Sequence, residues 1–295
     1  ILTLGGTLLG TSRDKPHRML VGGKVQDMTD VIVENYRANH LDALVCLGGG
    51  GTQKNALQLH QKGLNVLTLP KTIDNDVGMT DTTFGFDTAL GIATDAIDRL
   101  RDTAASHDRG MLVEVMGRDA GWIALHAGLA GAADAILIPE IPYRLEPIAR
   151  MINQRKHHGK PFSIVVVAEG ARPSGGEEST LGARELGAMK RLFGAAARVA
   201  EGLSHRVDLE LRTTVLGHIQ RGGTPSCFDR VLGSRFGEAA AELVARGEFG
   251  KMVALRGTDI VTVPLSEAAQ SQKRVDPGGD LMRAARALGA VFGDE

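Results

Sequence analysis

The stretch Val66-Leu67-Thr68-Leu69-Pro70-Lys71-Thr72-Ile73-Asp74-Asn75-Asp76 decides how this chain is read. Its first four residues form an apolar run of the kind found in a strand buried on both faces. The seven that follow place a hydroxyl, two carboxylates and a lysine where that strand ends, and open α/β sheets bind their ligands at such ends. If the segment stays extended, alternation aims Asp74 and Asp76 the same way. One could then take a proton from a hydroxyl while the other holds a divalent cation. Two aspartates near a proline also suit a solvated turn, so the rest of the chain has to decide.

Composition narrows the classes. With 295 residues there is room for one large or two medium α/β domains. The 34 basic and 35 acidic side chains nearly cancel, so no global field points to nucleic acid or to a membrane. The two cysteines, Cys46 and Cys227, have no metal-ligand spacing and suit a reducing cytoplasm. The longest apolar runs are too short to span a bilayer, and the opening Ile1-Leu2-Thr3-Leu4 has neither a basic start nor a signal-like apolar core, so no targeting assignment follows. The 38 glycines often stand directly after apolar runs, which points to backbone approaching ligands at strand ends.

Short apolar runs alternate with segments of helical period. Strands are expected at 43–47, 65–69, 111–116, 135–138 and 163–168, and a strand-like segment opens the chain at 1–4. Helices are expected over 28–39, from about 55 onward, over 87–103, over 181–201 with Gly187 and Gly194 interrupting, and over 230–245. A late strand pair at 252–255 and 259–263 precedes a last helix at 281–288, and 171–179 reads as a surface loop. This pattern predicts an α/β fold of mostly parallel sheets with helices on both faces.

Leu44-Val45-Cys46-Leu47 runs into Gly48-Gly49-Gly50-Gly51-Thr52 and then into a helix. Strand, glycines, hydroxyl and helix start make a phosphate cradle of backbone N–H groups backed by the helix dipole. No Gly-Lys-Ser/Thr follows, which excludes the Walker loop. A second loop, Gly5-Gly6-Thr7, leads to Arg13, which could reach the same anion. Arg109, Arg118, Arg212 and Arg221 stand beside strand ends or glycine breaks. One such arginine is ordinarily a solvated surface charge, but several converging guanidiniums suit a phosphate ester. Glu169 ends a strand and could accept hydrogen bonds from sugar hydroxyls, whereas His218 taken alone reads as a structural histidine.

Taken together, these segments resemble the 6-phosphofructokinase family. The matching stretches run in family order: 5–13, 48–52, 70–76, 84–89, 96–103, 113–118 and 214–223. The Thr-Ile-Asp-Asn-Asp and Gly-His-Ile-Gln-Arg-Gly-Gly strings are the most specific of them. The resemblance implies two similar lobes, each a mostly parallel sheet with helices on both faces, and an active site between them. Residues 1–85 and 220–270 would bind the phosphoryl donor, and 86–219 and 271–295 would bind the sugar phosphate. It also implies transfer of a phosphoryl group to O1 of fructose 6-phosphate in the cytoplasm.

Carried over by position, the resemblance makes Asp74 the base for the O1 proton and puts Thr72 beside the migrating phosphoryl group. Asp76 would help hold Mg²⁺. Arg118 and Arg13 would balance donor charge, with Gly48, Gly49, Gly50, Gly51, Thr52 and Lys71 around the donor. Met116, Gly117 and Glu169 would line the sugar, and His218 and Arg221 would take the 6-phosphate. Arg109 and Arg212 would reach that phosphate from a neighbouring copy in a homodimer or homotetramer.

Some features depart from the family pattern or bear on donor choice. Gly50 stands where many relatives carry an acidic or amide residue near the metal, so Mg²⁺ would lean on Asp76, water and the donor phosphates. Gly51 leaves room for the α-phosphate of ATP, whereas Lys71 is typical of pyrophosphate users but also occurs in ATP-using branches. A carboxylate at 51 would repel a nucleotide and a lysine at 71 excludes nothing, so ATP is the expected donor and pyrophosphate the alternative. A non-catalytic relative that binds sugar phosphate is a further reading, against which Asp74, Asp76, Arg118 and His218 all speak. The family also carries a strand and a Gly-Gly-Asp loop ahead of the segment that opens this chain.

Overall fold

The computed structural model describes residues 1–12, 14–180 and 192–295. Arg13 and positions 181–191 of the helix expected over 181–201 lie outside them. The chain runs through β1 (Met19–Val21), β2 (Lys24–Gln26), α1 (Thr29–Ala38), β3 (Leu44–Gly48), α2 (Gly50–Gln61) and β4 (Val66–Pro70). Next come α3 (Phe86–His107), β5 (Arg109–Val115), α4 (Trp122–Ala130), β6 (Ala135–Leu137), α5 (Leu145–His157) and β7 (Ser163–Ala168). The remainder is α6 (Ala195–Leu203), β8 (Glu210–Val215), a 3₁₀ turn (Gly217–Arg221), α7 (Cys227–Ala245), β9 (Lys251–Arg256), β10 (Asp259–Pro264), α8 (Leu265–Gln270) and α9 (Asp280–Ala287).

Two compact units result. One comprises Ile1–Thr72, Asp76–Gly85 and Thr224–Lys273, the other Ile73–Asn75, Phe86–Gly223 and Arg274–Glu295. The family resemblance implies passages at 85, 219 and 270. Side-chain attachments explain the observed bounds. Ile73 packs on the second unit's core. Gln220 ties the 3₁₀ turn to the amide of Met116. Lys273 bonds to the backbone at 76, 80 and 81 in the first unit.

The first unit's sheet has the order β10-β9-β4-β3, with β3, β4 and β9 parallel and β10 antiparallel at its edge. The second unit's sheet, β6-β7-β5-β8, is parallel throughout. Their inner strands β4, β5 and β7 are buried on both faces, as strands covered by helices require. Met111, Val113, Val115, Ile164 and Val166 pack with Ala93 and Ile97 of α3 and Ile123 and Ala127 of α4. The alternate residues Leu112, Val165 and Val167 meet Ile148 and Ile152 of α5 and Val199 and Leu203 of α6. In the first unit, Leu67, Leu69, Val253 and Leu255 pack on Leu232, Phe236 and Leu243 of α7. Val66 turns the other way, to Val33 of α1 and to Ala56 and Leu59 of α2.

Some expectations from sequence are corrected here. Residues 1–4 form no strand: they are exposed, and a strand needs a partner to pair with. The first pairing is instead the hairpin of β1 and β2, turned by Gly22 (φ 57°) and Gly23 (φ 78°). Successive positive φ values define the two-residue turn that matches strand twist. The helix expected from about 55 begins at Gly50, inside the glycine run. Gly194 does not interrupt a helix but precedes α6, with φ 85°. There the buried Glu114 carboxylate accepts from the amides of Gly194 and Ala196, at 3.1 and 2.9 Å, and caps the helix.

Phe236 is fully buried and meets Phe84 edge-on at 5.9 Å. Phe236→Ala is expected to lower stability in urea by about 3–5 kcal/mol, and a loss under about 1 kcal/mol would contradict this packing.

Candidate functional site

In the first unit, register fixes what lies side by side. Gly48 pairs with Pro70 across β3 and β4, so the segments 49–52 and 71–76 leave the sheet together. The amide of Lys71 still donates to the Gly48 carbonyl at 3.1 Å. The Gln53 side chain folds back to the same carbonyl, and the amides of Thr52 and Gln53 both donate to Gly49 O. Gly50 and Gly51 thus occupy the first turn of α2, where helix geometry leaves N–H groups pointing outward along the axis. A methyl group built on either would meet nothing within 4 Å, so that turn opens onto free space. Gly49 is different: a methyl there would lie 3.4 Å from Thr72, which brings that hydroxyl-bearing side chain against the cradle. Thr72 itself is anchored through its carbonyl, which accepts from Thr83 Oγ1 at 2.8 Å. Lys71 is half-buried, bridged to Phe84.

The alternation expected for Asp74 and Asp76 is not what forms. Asn75 lies in the left-handed region at φ 52°, so the segment kinks instead of staying extended. Asp74 is 6% exposed, while Asp76 is half-buried and belongs with the first unit. Asp74 is thus a nearly water-free carboxylate grouped with the second unit, which also holds Arg118, Glu169, His218 and Arg221.

In that second unit the same register logic operates at the C-terminal end of the sheet. Val115 pairs with Ala168, and Glu114 with Val215, so Met116-Gly117-Arg118, Glu169-Gly170 and Leu216-Gly217-His218 leave the sheet at one end. Glu169 Oε1 accepts the amide of Arg118 at 3.0 Å, and Arg118 is held at φ 53°. Burial raises the Glu169 carboxyl above its usual range, opposed by the Arg118 and Gly117 amides and the Arg118 charge. The backbones meet so closely that a methyl on Gly170 would overlap the Arg118 carbonyl oxygen, at 2.1 Å. Met116 and Gly117 are buried beside them. In the 3₁₀ turn, His218 and Arg221 are three residues apart and share one exposed side. Gln220 points inward and accepts the Met116 amide at 2.8 Å.

Arg109 and Arg212 are not with this group. Arg109 opens β5 and lies opposite Glu210, whose carboxylate accepts from Arg109 Nε at 2.7 Å and also pairs with Arg212. Arg109 is the first residue of β5 and Arg212 lies opposite Met111, which puts both on the order of 20 Å from Met116 at the usual rise per residue.

Among the described residues no three His, Cys, Asp or Glu side chains converge to hold a metal ion. A site with one carboxylate fits Mg²⁺ arriving on a polyphosphate, because that ion keeps water and phosphate oxygens as ligands. No helix among the described residues is long and apolar enough to cross a membrane.

Sequence reading passed over residues that hold these groups: Glu114, Gln220, Glu210 and Lys273. Glu114 and Gln220 lay inside quoted motifs, but nothing local marks a polar side chain as inward-facing. Burial pulls the Lys273 ammonium down to about 8, against the attraction of Asp81 and Asp76.

Known proteins resemble this arrangement along the whole chain. The family model described as phosphofructokinase matches residues 1–244. An ATP-dependent 6-phosphofructokinase of Propionibacterium freudenreichii is 53% identical over 100% of this chain and 84% of its own length. A pyrophosphate–fructose 6-phosphate 1-phosphotransferase of Amycolatopsis mediterranei is 50% identical over 93% of this chain and 79% of its own. Phosphofructokinase from Saccharomyces cerevisiae superposes with a TM-score of 0.76 at 30% identity, over 91% of this chain and 36% of that one. The chain thus spans about a third of the yeast polypeptide but most of each bacterial relative. Strand-end glycines, the Asp74 segment and the fold that presents them agree with the match: the chain belongs to the phosphofructokinase family.

Proposed function

We propose that this chain transfers the γ-phosphoryl group of ATP to O1 of fructose 6-phosphate, giving fructose 1,6-bisphosphate, the glycolytic reaction. The observation that carries the reading is Asp74, a carboxylate at 6% exposure just beyond the end of a parallel strand. A phosphoryl transfer to an alcohol needs one proton acceptor for the hydroxyl, and otherwise positioning and charge neutralisation. Asp74 is the acceptor of the O1 proton. The amides of Gly50 and Gly51 and the Arg118 guanidinium neutralise the phosphate, and Thr72 lies beside the group in transit. Asp76 would hold Mg²⁺, which would supply positive charge to offset that of the donor phosphates.

Sugar recognition falls to the strand ends of the second unit. Glu169 and the buried backbone of Met116 and Gly117 face the hydroxyls, and His218 and Arg221 bind the 6-phosphate. Arg109 and Arg212 are too distant to join that group in the same chain, which supports their serving a second copy in a homo-oligomer. The open space at Gly51 supports ATP over pyrophosphate. Similarity alone does not separate the donors, because relatives named for each are 53% and 50% identical to this chain.

Asp74→Asn keeps the shape and removes the acceptor. It is expected to lower kcat by about 10²–10⁴-fold with little change in sugar-phosphate binding; steady-state kinetics with unchanged kcat would remove Asp74 from the reaction. Gly51→Asp places a carboxylate against the nucleotide phosphates and is expected to lose ATP use selectively. Donor-by-donor assays showing equal loss with pyrophosphate would discredit the donor assignment. Co-refolding Asp74→Asn with an Arg109→Ala/Arg212→Ala variant should restore activity that neither parent has, through sites combining an intact base with intact arginines. No recovery in a verified mixed oligomer would place those arginines outside the site.

A further inference from the structure

The turn after Asp76 is strained and held from outside. Met79 sits at φ 64°, a conformation that costs a non-glycine residue energy and persists only where its surroundings impose it. The segment 271–273, following α8, supplies part of that restraint. Val77 and Gln272 form an antiparallel bridge, and Gly78 lies so close to Ser271 that a methyl would fall 2.0 Å from its hydroxyl. Lys273 makes the densest attachment. Its amide donates to Asp76 O at 2.9 Å, and its Nζ donates to Thr80 O at 3.0 Å and Asp81 O at 2.6 Å. On the other side, Leu255 N donates to Thr80 Oγ1 and Leu255 O accepts from Asp81 N. Hydrogen bonds from charged donors are the stronger kind, and losing one strands the acceptors it served.

We propose that Lys273 is a positioning residue for the reaction. Its amide and ammonium grip both ends of the 76–81 turn, so that Asp76, the carboxylate assigned to Mg²⁺, stays at one height beside the phosphate cradle. The assignment of Asp76 rests on the function proposed above; the grip rests on the bonds just described. Each of the bonds just described for Lys273 ends on a backbone carbonyl of the turn. Lys273 acts through the backbone of the turn, which places a residue near the end of the chain in control of a segment almost two hundred positions earlier.

The test uses the full chain with Lys273→Met, which keeps length and removes the charge, and Lys273→Arg, which keeps the donors. In ligand-free Lys273→Met, amide hydrogen exchange over 76–81 is expected to quicken by about 10-fold or more while β5 and β7 keep their rates. The KM for the Mg–nucleotide should rise about 10-fold, with the KM for fructose 6-phosphate within about two-fold of wild type. Lys273→Arg should recover most of both effects. Unchanged exchange at 76–81 in Lys273→Met overturns the grip. Faster exchange with an unmoved nucleotide KM overturns the positioning role, as does a uniform rise in exchange across both units. Should Lys273→Met not fold, Lys273→Gln, which retains a donor at shorter reach, is read by the same criteria. If the wild-type protein transferred no phosphoryl group, the functional reading alone would fall, and the exchange data would still decide the grip.

Discussion

Parallel pairing in a fixed register is the constraint on which the rest depends. Opposite Gly48 stands Pro70, and opposite Val115 stands Ala168. Parallel strands all end on the same side, so each sheet discharges its loops together, and chemistry-bearing residues far apart in sequence become neighbours without further instruction. A slip of one residue would turn every strand inside out and send Leu67 and Leu69 to the wrong helices. The apolar runs that secure the register therefore also secure the positions of Thr72, Arg118 and Glu169, although none of these belongs to the core.

The loops so placed are not relaxed. Asn75, Met79 and Arg118 all carry positive φ, and each such residue costs on the order of 1–3 kcal/mol. The structure offsets this with hydrogen bonds that specify one geometry. Glu169 receives the Arg118 amide, and the 271–273 segment clamps the turn beyond Asp76. Rigid loops of this kind lower the reorganisation that a phosphoryl-transfer site would otherwise need as charge develops.

The fold was largely legible because its signals are local. Residues 163–168 were predicted and observed as a strand with the same bounds, and 230–245 lies within α7. What stayed hidden is informative. The helix start at Gly50 was missed because glycine's poor propensity reads as loop, while backbone access and a folded-back Gln53 side chain override it there. α4 and α5 went unmarked; α4 is apolar almost all round, so no polar face reveals its period. The extended reading of Asp74-Asn75-Asp76 failed at one dihedral angle, which residue type permits but does not announce. Glu114, Gln220 and Lys273 matter through partners 80 or more positions away, and no window of sequence contains both ends of such a bond.

The pairing of β4 with β9 has a consequence for how the molecule is made. β4 is buried along its full length, yet one of its two neighbours in the sheet begins only at Lys251. On the ribosome, Val66–Pro70 must wait for that partner through on the order of ten to forty seconds of elongation, its apolar edge open to other nascent chains. The second unit's sheet, complete once β8 has emerged, can assemble in the meantime. The order of synthesis thus makes the first unit's sheet the last to close, and the stage at which a chaperone would be most needed.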